Sequence, residues 1–127
     1  MGFVQAVRAC WALFLGFGMM STSHGLLGSL VGVRLSIEGF PTGTAGLVTA
    51  GFFLGIVLAA LAAPKLIERV GHVRVFAAMA ALAAVSSLLH SLWVDAWFWF
   101  VLRTLTGFAS TALYIVSESW VNARAEN

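Results

Sequence analysis

Three groups of residues in this chain combine the polarity and the placement that chemistry needs. In APKLIERVGHVRVF, residues 63–76, the side chains Lys65, Glu68, Arg69, His72 and Arg74 are gathered between two apolar runs. Opposite charges such as Glu68 and Arg69 can exchange partners with charges on another element. Arg103 stands within the apolar run WFWFVLRTLTGFAS, where a guanidinium can act on a proton-binding carboxylate or an anionic substrate. In STSHG, the polar residues Ser21, Thr22, Ser23 and His24 interrupt an apolar stretch. Histidine exchanges protons near neutrality, and a buried ring needs hydrogen-bond partners. Ser21, His24 and Tyr114 are therefore candidates to line a cavity.

Other chemistries lack their residues. The single cysteine, Cys10, has no partner for a disulfide and none at metal-ligand spacing. There is no HExxH, no GxSG and no pair of intramembrane aspartates, so an intramembrane enzyme lacks its working parts. No catalytic residue, metal or cofactor is expected.

The elements that position these residues follow from composition. Hydrophobic residues make up 61% of the 127 and charged ones 9%, against about 45–50% and about 25% in soluble domains. Too few polar residues remain to coat a water-facing surface, so lipid is the expected solvent. The formal net charge of +2 is too small to indicate nucleic acid.

A spanning helix needs about 20 mostly apolar residues, and an open sheet would leave backbone groups unpaired in hydrocarbon. An all-α, polytopic fold follows, with apolar helices expected at about 9–33, 45–63, 75–92 and 97–117. The first is too long for a signal-peptide core and lacks an A-x-A-like site after it. SIEGFPTGT supplies Gly39, Pro41 and Gly43 for a loop. The second helix is expected to end near Pro64. Trp93, Trp97 and Trp99 surround Asp95, as expected of rings at a headgroup boundary.

With a cytoplasmic N-terminus, Arg8, Lys65, Arg69, Arg74 and Arg124 fall inside and only Arg34 outside, as the positive-inside rule requires. Both termini are then cytoplasmic, and the polar island joins helices two and three on that side. Small residues form stripes in helix one (Gly18, Ser21, Gly25, Gly28, Gly32) and in helix two (Gly51, Gly55, Ala59, Ala62), which would let backbones approach.

With residue types and order read together, PKLIERVGHVRVF resembles the loop motif of the major facilitator superfamily, written G-x-L-a-D-R-x-G-R-R/K. Leu66, Arg69 and Gly71 match, and Glu68 replaces the usual Asp with its charge kept. Pro64 replaces the first Gly, His72 and Val73 replace the two basic residues, and Arg74 comes one place later. RTLTGFAS matches the family's fourth-helix R-x-x-x-G with Arg103 and Gly107. EGF, RVGHVRVFAA and ESWVN are similar to a bacterial branch of sugar- and drug-exporter-like members. The resemblance covers essentially the whole chain.

It implies the first four of twelve helices in a secondary transporter whose two six-helix halves rock about a central site. Residues 1–127 would be an incomplete N-terminal membrane domain, needing the missing C-terminal helices for transport. The implied function is movement of a small molecule across a bacterial plasma membrane by alternating access, proton-coupled or facilitative. Glu68, Arg69, Gly71 and Arg74 would then be a conformational latch, with Glu118 at the cytoplasmic end of helix four as the local partner. Arg103 and Gly107 would be the intramembrane motif. Two other readings are a four-helix multidrug exporter working as a dimer, whose acidic residue in helix one is missing, and a non-transporting membrane partner.

The topology has a direct expectation. In a Cys10→Ser background on intact cells, an impermeant thiol reagent should label Phe40→Cys and spare His72→Cys. The reverse pattern contradicts the orientation.

Overall fold

The computed structural model describes residues 2–126, with Ala9 by its backbone only. Four helices follow one another: α1 (Phe3–Ile37), α2 (Thr42–Val70), α3 (His72–Leu89) and α4 (Ala96–Ala125). The described residues contain no strand. Three helices, α2, α3 and α4, are long and apolar enough to cross a membrane. The fourth expected span, α1, is not among the three that the described residues give.

The helices extend past the apolar runs. Pro64 does not end α2, which continues to Val70. A proline removes one backbone donor, but a helix can keep its direction when the freed carbonyl finds another partner. The loop expected between helices two and three is thus reduced to Gly71. Its φ of 95° and ψ of 159° close α2 and open α3, a region of backbone space open essentially to glycine alone. Lys65, Glu68 and Arg69 ride on the end of α2, and His72 and Arg74 on the start of α3. At the other end, α3 stops at Leu89 rather than near residue 92. Asp95 then caps α4 by accepting from the Trp97 and Phe98 amides at 2.8 and 3.2 Å.

The tryptophans divide. Trp93 and Trp97 are exposed, as a headgroup belt requires, but Trp99 is 3% exposed and packs in a core with Val31, Leu35, Val48 and Leu102. Its indole N–H donates to the Trp93 carbonyl at 2.7 Å. The rotation of α4 about its axis, which neighbouring residue types do not reveal, turns Trp99 inward.

The closest packing is between α2 and α4. A Cβ on Gly55 would strike the Thr104 carbonyl oxygen, one on Gly107 the Phe52 carbonyl oxygen, and one on Gly51 would lie 2.7 Å from that of Phe100. The helix-two stripe therefore brings two backbones together, continuing through Ala59 and Ala63 rather than Ala62. The helix-one stripe does not. Gly18, Gly25 and Gly32 have nothing near a built Cβ, and Gly28 meets only the Arg103 guanidinium. α1 touches the other helices sparingly.

Gly55→Val and Gly107→Val should each destabilise the chain by about 3 kcal/mol or more, because backbone cannot yield as a side chain does. Gly25→Val should be nearly neutral. Thermal unfolding of the three variants in detergent checks the contrast.

Candidate functional site

The polar side chains of α4 fall on one face because Arg103, Thr106, Ser110 and Ser117 are spaced by three, four and seven residues. All four are buried. Thr106 and Ser110 donate to the Leu102 and Thr106 carbonyls at 2.8 and 2.6 Å, which satisfies hydroxyls where water is scarce. The Ser86 hydroxyl of α3 reaches Thr106 at 3.1 Å.

Arg103 sits at the head of this row. It is 6% exposed, and its guanidinium carbon lies 4.6 Å from the Phe52 ring centroid. Gly28 of α1 borders it, with Nη2 at 3.7 Å from where a Cβ would be. Nη1 is buried without a hydrogen-bond partner. Among the described residues the one ion pair is Arg34–Glu38, at 2.7 Å at the exposed end of α1. A desolvated cation over an aromatic face gains about 2 kcal/mol. Leaving a buried charge unpaired costs about 3–5 kcal/mol. The ring therefore offsets only part of the burial.

His24 faces the same ring from α1, with centroids 6.1 Å apart. Its Nε2 lies 2.6 Å from the Ser110 hydroxyl oxygen. That hydroxyl has one proton, given to the Thr106 carbonyl. With the hydroxyl proton on that carbonyl, His24 donates through Nε2–H, which leaves Nδ1, buried and without a partner, as a bare acceptor. His90, just past α3, has the opposite tautomer. Its Nδ1–H donates to the Ser86 carbonyl at 2.7 Å, and its Nε2 has no partner. The His90 ring tilts against Trp99 at 5.7 Å.

Ser21 and Tyr114 also meet, hydroxyl to hydroxyl at 2.9 Å, and Phe17 stacks on the Tyr114 ring at 4.6 Å. The structure thus brings Ser21 to Tyr114, and His24 and Arg103 to one aromatic ring. Gly107 touches no polar group of the site; its contribution is the close approach of α2, which carries Phe52.

The residues expected to form a latch stand apart from this cluster. Glu68, Arg69, Arg74 and Glu118 are exposed, and among the described residues none forms an ion pair with another. Beside the Gly71 turn, a hydrogen bond between His72 Nε2 and the Ser119 hydroxyl, at 3.0 Å, joins α3 to α4. Sequence reasoning missed Ser86, His90, Thr106, Ser110 and Ser119. Thr106 and Ser110 could have been found from their helical spacing to Arg103. Ser86, His90 and Ser119 gave no comparable signal.

Comparison with known proteins identifies the family of the chain. The Major Facilitator Superfamily profile matches residues 13–127. The chain belongs to that superfamily. An uncharacterized MFS-type transporter of Yersinia pestis (strain Pestoides F) is 30% identical over 112 residues, which cover 88% of this chain and 29% of the relative. One of Enterobacter sp. (strain 638) is 29% identical, and one of Escherichia fergusonii is 27% identical, over the same shares. The chain spans 29% of the length of these relatives. No solved structure matches it at a significant level. As a superfamily member with apolar helices, it is a multi-pass membrane protein.

The His24–Ser110 assignment has an energetic consequence. Ser110→Ala should cost about 1–3 kcal/mol, because it strands the His24 N–H. Combining it with His24→Phe should cost less than the sum of the single changes. A double-mutant cycle on unfolding in detergent measures that coupling.

Proposed function

We propose that this chain forms the first four membrane-crossing helices of a secondary transporter for a small molecule, with α1 crossing the membrane as well. The polar run of α1 does not oppose this, because Ser21 and His24 find hydrogen-bond partners on α4. The observation that carries the reading is the superfamily match together with a buried cation at the motif position in α4. An ionisable group at such depth is costly, and it marks a transport pathway by default.

The transport cycle is alternating access, with proton coupling or facilitated diffusion as its energetics. Arg103, Ser21, His24 and Tyr114 lie where α1 faces α4, and relative movement of these helices would open and close that surface. At the cytoplasmic side, the Gly71 hinge with Glu68, Arg69 and Arg74 acts as a latch against Glu118. In the conformation described, His72 and Ser119 hold the hinge to α4, and the ion pair belongs to the opposite transport state. Both termini lie in the cytoplasm of a bacterial cell.

Two measurements in the complete transporter that carries this sequence test the reading. Arg103→Lys keeps the charge but loses the planar fork, so it should insert normally and lower uptake at least tenfold. Wild-type uptake would reduce Arg103 to a residue that reaches back to the headgroups. Glu118→Arg should shift state-specific cysteine accessibility, and adding Arg69→Glu or Arg74→Glu should partly restore it. Additive effects with no coupling for either partner would remove the latch.

A further inference from the structure

Arg103 is a buried charge whose surroundings are incomplete in a specific way. Nη1 offers N–H groups to no acceptor, and the Phe52 ring lies over the guanidinium. His24 lies against that same ring. Its Nε2 is committed to Ser110, and its bare Nδ1 is also buried without a partner. Gly28, one turn along α1 from His24, leaves the guanidinium room on that side. An unfilled cation donor and an unfilled imidazole nitrogen thus belong to two side chains, from α4 and α1, that lie against one ring of α2.

We propose that Arg103 and His24 form a binding site for a carboxylate or similarly small oxyanion group of a ligand, which enters together with a proton on His24. This deepens the transporter reading by naming the chemistry of its ligand. In the bound state the oxyanion accepts one hydrogen bond from Arg103 Nη1–H and one from His24 Nδ1–H. The proton on Nδ1 comes from solvent, and Nε2–H keeps its bond to Ser110, so both ring nitrogens donate. Guanidinium and imidazolium against a monoanion leave one positive charge, and a dianion neutralises both. No bond other than N–H is made or broken.

The groups facing the site are few. α1 supplies His24, and α2 supplies Phe52, with its own charges Lys65, Glu68 and Arg69 at the far cytoplasmic end. The α3 end supplies His90, whose Nδ1 is held by Ser86. α4 supplies Arg103, with Tyr114 further along and paired to Ser21. Among these described residues no carboxylate pairs with Arg103, so an anion that neutralises it comes from outside this set.

The test uses the 127-residue chain in phosphatidylcholine nanodiscs, titrated with sodium formate and with inorganic phosphate at fixed ionic strength. Calorimetry reads binding, and an indicator dye in weak buffer reads protons. The expected result is saturable binding with net proton uptake near neutral pH. Arg103→Gln should weaken it at least tenfold. His24→Asn keeps an N–H near the Nδ1 position, so it should bind the anion with proton uptake abolished. If Arg103→Gln loses its helical circular dichroism, the His24→Asn result decides alone. Repeating the titration in phosphate-free maltoside micelles separates two sources of the anion. Binding in both media assigns the site to a free ligand, and binding in micelles alone assigns it to a lipid headgroup phosphate. Absence of saturable binding in both media, binding unchanged by Arg103→Gln, or proton uptake that persists in His24→Asn would overturn the site. Anion binding without transport by the complete protein would instead defeat the transporter reading and leave the site standing.

Discussion

The approach of α2 to α4 is the constraint on which the rest depends. At Gly51, Gly55 and Gly107 the two backbones come so near that no side chain fits between them. Apolar side chains gain nothing by leaving lipid for another apolar surface, so association in a bilayer rests on packing and hydrogen bonds. Glycine makes that packing available. It also fixes the position of Phe52, which becomes the floor under Arg103 and His24. α3 joins the pair through the buried Ser86–Thr106 contact. α1, whose own glycines touch almost nothing, is held mainly by the apolar cluster around Val31 and Leu35 and by Ser21–Tyr114 and His24–Ser110. A firm three-helix platform with one loosely seated helix is the arrangement expected where one surface has to move.

Polar groups in this platform obey the accounting that hydrocarbon imposes. Thr104, Thr106 and Ser110 return their protons to carbonyls one turn earlier on α4, so they need no water. Among the described residues the exceptions are His24, His90, Arg103 and Ser117, each of which keeps a buried atom without a partner. Two of the four, His24 and Arg103, lie against one ring, that of Phe52, and the proposed site rests on that juxtaposition.

Much of this was legible in the sequence, for reasons that differ by feature. The existence of the helices is written in composition, since apolar runs of that length have few other uses. Their ends are not, because lipid sets the apolar run whereas backbone hydrogen bonding sets the helix. Residues 65–70 carry the charges of Lys65, Glu68 and Arg69 and are still helical, and Pro64 is a breaker only on average. The packing role of Gly51 and Gly55 was readable from spacing, but the same pattern in α1 misled, because a stripe records a capacity for contact and not the presence of a neighbour. Arg103 announced itself by being charged in apolar surroundings. The His24–Ser110 contact crosses 86 positions of sequence, and no local pattern encodes it. Trp99 shows the same limit, since one hundred degrees of helix rotation per residue decides between belt and core.

The central claim is that α2 and α4 form a fixed pair against which α1 can shift, carrying His24 relative to Arg103. Double electron–electron resonance in nanodiscs tests it most directly, with spin labels placed in a Cys10→Ser background at exposed positions. One pair joins Phe53 of α2 to Val101 of α4, and the other joins Leu26 of α1 to Val101. The account predicts a single narrow distance distribution for the first pair and a broader or two-component one for the second. A first pair as broad as the second, or an α1 distance as narrow as that between α2 and α4, would contradict it.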